Sequence, residues 1–161
     1  MLFISYRGIF DGQNFEDENT PDQIGRSFNA GFSCMVDVWR VDNKIYLGSE
    51  QPMVEVTPRY LQGNRFWLNA RNNDMYTWLQ AQPIRLYPNY FTVPDPTPSY
   101  VTTSSGHDWV FGNVPTNNNS IVVLPEIPDR GLFSTVKLRN YGICSCYLTF
   151  SKRWRNEGVW Y

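Results

Sequence analysis

The sequence predicts an α/β fold with a parallel sheet in its first half and little helix in its second. Through Gln80, short β-prone runs alternate with helical ones, the pattern of βαβ units. Beyond Ala81, prolines and glycines cut the chain into brief strand-like runs. Its 161 residues suit a single domain spanning 1–161, long enough to bury roughly 70% of its unfolded surface.

Each element has a local reason. Leu2 to Tyr6 is apolar and β-prone, a first strand. Phe10 to Thr20 is polar and contains Gly12, a loop. Thr20 followed by Pro21 is a helix start, with Thr as N-cap and Pro in the first turn. Ile24, Phe28 and Phe32 follow at helical spacing, and Gly31 closes the helix. Cys34 to Trp39 reads as a second strand. Asp42-Asn43 is a turn into a third strand, Lys44 to Leu47. Pro58 to Gln62 is a short helical turn, Arg65 to Ala70 a fourth strand and Asn73 to Gln80 a helix. Ile84–Leu86, Tyr90–Val93, Tyr100–Thr102 and Trp109–Phe111 are strand-like. Ser120 to Leu124 is a buried strand, Leu132 to Leu138 fits helix or strand, and Ile143 to Phe150 is a last strand.

Composition narrows function. The net charge is −1, so no bulk attraction to nucleic acid or anionic lipid is expected. No apolar run approaches the ~18 residues of a membrane span. Met1–Ile4 is too short for a signal peptide and Arg7 interrupts it, which predicts an intracellular protein. In that setting Cys34, Cys144 and Cys146 read as reduced, buried thiols, the last two sharing a strand face. A zinc site needs four ligands, and the sole histidine, His107, has no partner nearby. The sequon Asn118-Asn119-Ser120 carries little weight without a secretory signal. Six tryptophans and ten tyrosines exceed what a small core needs, so some are expected on a contact surface. The tail, Lys152 to Tyr161, mixes basic and aromatic residues. It reads first as packing on the domain, then as a protein contact, and least as a nucleic-acid contact.

The ordered motifs are more specific. Phe3-Ile4-Ser5-Tyr6-Arg7-Gly8 precedes Glu18-Asn19-Thr20, then Val36-Asp37-Val38-Trp39 and Leu47-Gly48-Ser49-Glu50-Gln51-Pro52. Phe66-Trp67-Leu68-Asn69-Ala70-Arg71 follows, and later Ile121 to Glu126 and Gly142 to Cys146. This series resembles the glycerophosphodiester phosphodiesterase and phosphatidylinositol phospholipase C-like family, in its short bacterial and viral form. The resemblance is strongest over residues 2–80. It implies a TIM-type (β/α) barrel with its site at the C-terminal ends of the strands. A complete barrel needs about 250 residues, so a reduced or distorted barrel with a helix-poor second half is expected. A virus-associated source is one setting the resemblance allows.

The resemblance also implies lost chemistry. Tyr6 and Ser49 stand where the family has its two catalytic histidines. A phenol with a pKa of ~10 is a poor base at neutral pH. Met35 and Asn69 stand where metal-binding carboxylates belong, and a thioether suits a hard cation poorly. Arg7, Glu18 and Asp37 are kept, Arg71 stands for a family Lys, and Glu50 replaces Asp. Catalytic residues and a metal centre are therefore expected to be absent. Arg7, Glu18, Asp37, Glu50, Asn69 and Arg71 are left as a vestigial phosphate or ligand pocket, in which Arg7, Glu18 and Asp37 are expected to form a polar network that satisfies itself. The expected function is that of a pseudoenzyme with a structural or protein-interaction role, as an accessory subunit of an assembly. The alternative is an active phosphodiester hydrolase using Mg²⁺ or Ca²⁺ on a rebuilt site. A third reading binds a phosphorylated ligand through Arg7 and Arg71.

Overall fold

The computed structural model describes residues 1–111, 114–124 and 139–149. Ten strands form one mixed sheet: β1 (Leu2–Tyr6), β2 (Ser33–Val41), β3 (Lys44–Leu47), β4 (Val54–Val56), β5 (Phe66–Ala70), β6 (Tyr90–Phe91), β7 (Tyr100–Thr102), β8 (Asp108–Val110), β9 (Ser120–Val123) and β10 (Gly142–Ser145). Two α-helices lie wholly within the described residues, α1 (Pro21–Asn29) and α2 (Asn73–Gln80).

Strands β6, β5, β2, β1, β10, β9 and β8 lie side by side and parallel. Strand β7 adds antiparallel to β8. The β3–β4 hairpin runs antiparallel off the far half of β2. The sheet curls into a half-barrel. Just beyond β7, the Ser104 N–H donates to the Tyr90 carbonyl at 2.8 Å.

The expected TIM-type (β/α) barrel is thus corrected to a curled mixed sheet with two short helices. The reason is local. Asp42 and Asn43 both have positive φ, 50° and 63°, which makes a tight hairpin where a helical crossover would be needed. Prolines at 83, 88, 94, 96, 98 and 115 bar long helices from the second half. Three smaller expectations also change. Ile84–Leu86 is turn, Val54–Val56 is an additional strand, and the last strand stops at Ser145. Leu132–Leu138 and the tail lie outside the described residues.

The helices form where their caps predict. The Thr20 side chain accepts from the Gln23 N–H, and Pro21 opens α1. The Asn72 side chain accepts from the Met75 N–H and opens α2. Asn72 also exchanges hydrogen bonds with the Arg40 backbone at 3.2 and 2.8 Å, tying α2 to β2. Alternation sorts strand residues between two faces. Cys34, Val36 and Leu68 pack under the helices with Ile24, Met75 and Leu79. Ile4, Met35, Trp67, Phe91 and Trp109 fill the concave side. There Trp109 lies 5.7 Å from Trp67 and 4.6 Å from Phe91, centroid to centroid. Among the described residues the tryptophans go inward, Trp39, Trp67, Trp78 and Trp109 being buried or half-buried, whereas Tyr100, Tyr141 and Tyr147 are exposed.

Candidate functional site

The concave alternation brings one polar residue after another to the C-terminal ends of β1, β2 and β5. Met35 and Asp37 share a face of β2, and Asp37 pairs in register with Asn69 of β5. Tyr6 ends β1, and Arg7 leaves it with φ 57°. The Arg7 N–H donates to the Met35 carbonyl at 2.8 Å, and its carbonyl accepts from the Asn19 N–H at 2.9 Å. Glu18 and Asn19 are thereby held over the strand ends. Ser49 arrives through Gly48, where any Cβ would lie 1.9 Å from the Gln51 carbonyl oxygen. The Gly48 carbonyl in turn accepts from Trp39 Nε1 at 2.7 Å.

Asp37, with no exposed side-chain surface, is the centre. Arg7 Nε lies 2.7 Å from Oδ2, close enough for an ion pair although its N–H is not aligned for a hydrogen bond. Asn19 Nδ2 donates to the same oxygen at 3.1 Å, and Asn19 Oδ1 accepts from the Asp37 N–H at 3.0 Å. Asn69 Nδ2 donates to Oδ1 at 2.7 Å, and Arg71 Nη1 lies 3.8 Å from it. Arg7 Nη1 reaches Glu18 Oε1 at 3.1 Å. The Ser49 hydroxyl donates to Glu18 Oε1 and accepts from Asn19 Nδ2 at 2.9 Å.

Burial pushes the Asp37 carboxyl above its ordinary value, opposed by Arg7, Arg71, Asn19 and Asn69. Burial works against the Arg7 charge too, but the carboxylates of Asp37 and Glu18 outweigh it and raise the guanidinium above its ordinary value. The guanidinium carbon sits 4.9 Å over the Tyr6 ring centroid. The Tyr6 phenol is pushed up to about 12, chiefly by burial, with Arg7 opposing. It therefore stays protonated at neutral pH and cannot take a proton from a substrate.

Seven of the residues singled out in the sequence converge: Tyr6, Arg7, Glu18, Asp37, Ser49, Asn69 and Arg71. Glu50 does not join them; it is exposed. Met35 lies in the concave core. His107 precedes β8, so it sits at the opposite end of the parallel strands, stacked on Tyr141 at 3.7 Å and hydrogen-bonded to Asn119 at 2.8 Å. The three cysteines are buried, and none is in a disulfide. Asn19, quoted in the motif but given no role, is the residue sequence reasoning missed. Its φ of 56° suits Asn, one of the few side chains at ease in the left-handed region.

The donor set does not fit Mg²⁺ or Ca²⁺. Those ions take several oxygen ligands, carboxylates among them. Here Glu18 and Asp37 are both paired with Arg7, and Met35 and Asn69 bring no charge. No group of three or more His, Cys, Asp or Glu residues placed to hold a metal occurs among the described residues. The two arginines and two carboxylates balance, so the cluster calls for no counter-ion. No known protein family, curated protein or solved structure matches this chain.

Proposed function

We propose that this chain is a non-catalytic protein that acts through contacts with a protein partner or within a larger assembly. Its phosphodiesterase-like motif series serves as a structural scaffold. The observation that carries the reading is the engagement of Asp37 by the protein itself: its side chain is fully buried, and both oxygens and its N–H already have protein partners. The Tyr6 phenol, too weak a base at neutral pH, and the distant His107 support it. General acid–base work contributes ~10²–10⁴-fold and needs a group whose pKa lies near the working pH. The Tyr6 phenol, pushed up to about 12, does not supply one. An intracellular setting is part of the proposal; no helix among the described residues is long and apolar enough to cross a membrane.

The test is hydrolysis of a phosphodiester panel, glycerophosphodiesters included, with Mg²⁺ or Ca²⁺ and with chelator, beside an Arg7→Ala control. The expected result is no turnover above that control. Metal-dependent turnover that Arg7→Ala abolishes would replace this reading with an active phosphodiester hydrolase.

A further inference from the structure

Two ends of the curled sheet, β6 and β7, meet at a seam that a single residue joins. The Ser104 N–H donates to the Tyr90 carbonyl at 2.8 Å. The Ser104 hydroxyl accepts from the Tyr90 N–H at 2.8 Å and donates to the Pro88 carbonyl at 2.8 Å. A side chain thus takes the place that a strand carbonyl holds in an ordinary ladder. The turn that presents Ser104 is braced from within. The Thr103 N–H donates to the His107 carbonyl at 2.8 Å, and the Gly106 N–H to the Thr103 carbonyl at 2.9 Å. Thr103 Oγ1 accepts from the His107 N–H at 3.1 Å.

Alternation sets the next pair along the seam. The Ser99 carbonyl and the Thr103 N–H bond toward β8, so Thr102 and Ser104 turn their N–H and C=O the other way, toward β6. The Leu68 N–H donates to the Asn89 carbonyl at 2.9 Å, so Tyr90 and, along the same extended run, Thr92 face away from β5. Strand β6 runs with the parallel strands and β7 against them. The Tyr90–Ser104 contact therefore fixes an antiparallel register that sets Thr92 opposite Thr102. Among the described residues, no backbone hydrogen bond joins those two. Thr102 is exposed and Thr92 half-buried.

We propose that this seam is a latch: with Ser104 as a fixed pivot, Thr92 and Thr102 pair through their backbone N–H and C=O groups, close the half-barrel, and part again. The pairing stops there, because Pro94, next in line opposite Tyr100, has no N–H to return. Two hydrogen bonds taken from water gain little, and ordering the chain around Thr92 costs a similar amount, so both states are populated. The chain just beyond Thr92, Val93 to Asp95, lines a cleft with Asn69 and Arg71. Closing the latch therefore changes the rim beside the polar network. The inference goes beyond the non-catalytic role and does not depend on it.

The experiment is amide hydrogen exchange of the full chain, read residue by residue by NMR. The Thr92 and Thr102 N–H groups should exchange at least about tenfold slower than in an unstructured chain, because the closed state shields both. Ser104→Ala keeps the N–H and removes the hydroxyl clasp. It should return both amides to within about twofold of the unstructured rate, while the Leu68 N–H inside the sheet stays protected. A second measurement does not rely on that variant. Thr92→Cys with Thr102→Cys should form a disulfide under mild oxidation, since opposed strand residues lie within disulfide reach. Thr92→Cys with Ser105→Cys, out of register, should not. The proposal is overturned if both amides exchange at the unstructured rate in wild type, or if their protection survives Ser104→Ala. It is equally overturned if the two cysteine pairs cross-link alike.

Discussion

Replacing Asn19 should damage this protein more than replacing any residue of its exposed loops, and the structure says by how much. Asn19 Nδ2 donates to the Asp37 carboxylate, a charge-assisted bond of about 1.5–3 kcal/mol. Asn19 Oδ1 accepts the Asp37 N–H, and stripping a buried N–H of its acceptor costs about 1–3 kcal/mol. The backbone adds a third effect, because φ is 56° and a left-handed Ala costs roughly 1–2 kcal/mol. Asn19→Ala should therefore lose about 4 kcal/mol or more. Asn19→Gly removes the same side chain without the backbone penalty and should recover roughly 1–2 kcal/mol of that loss. At ~2–4 °C per kcal/mol for a chain of this size, Asn19→Ala melts at least about 8 °C below wild type. Urea denaturation followed by tryptophan fluorescence reads both variants. A loss under about 1 kcal/mol for Ala would refute the idea that Asn19 ties the network together. Equal losses for Ala and Gly would refute the backbone part.

Other expectations follow from the same contacts. Arg7→Met leaves Asp37 buried with its closest cation gone and should cost about 3–5 kcal/mol in urea melts; a loss under 1 kcal/mol would mean Arg71 and the amides suffice. Folded Asp37 holds its proton more tightly than an ordinary Asp, so its contribution to stability falls as pH rises from the unfolded value of ~3.9 through the raised folded one. The stability of wild type minus that of Asp37→Asn should thus shrink with rising pH across that window; a difference that grows would show the arginines overriding burial. Gly48→Ala drives a Cβ into the Gln51 carbonyl and should cost about 1–3 kcal/mol. Gly25→Ala, inside α1 with nothing within 4 Å of the new Cβ, should instead stabilise by about 0.5–1 kcal/mol. Thermal melts of the pair check the signs.

Much of the local structure is legible in the chain. Thr20-Pro21 and Asn72 mark the helix starts because capping is a local event. The alternation Met35-Asp37 and Trp67-Asn69 sends apolar and polar residues to one face, and in-register pairing sets Asp37 against Asn69. What the chain does not display is how strands are assembled. The same β-prone run serves a parallel or an antiparallel neighbour, so the sequence alone does not display the Asp42-Asn43 hairpin and the β7–β8 pair as breaks in a β/α pattern. The candidate site was legible wherever a residue sits on a strand end. Glu50 misled because it follows Ser49 immediately in sequence, yet the chain carries it outward to solvent. Asn19 was missed because its role depends on meeting Asp37 and Ser49, which lie 18 and 30 residues away.

The central claim is that the Arg7–Asp37 cluster is a structural network of mutually paired side chains rather than a metal or catalytic centre. Its most direct test is the Tm of the chain in EDTA, Mg²⁺ and Ca²⁺, beside Asp37→Asn under the same conditions. The account predicts wild-type melting within about 1 °C across all three, because no ligand binding the folded state means no linkage shift. A saturable rise with either cation, lost in Asp37→Asn, would contradict it.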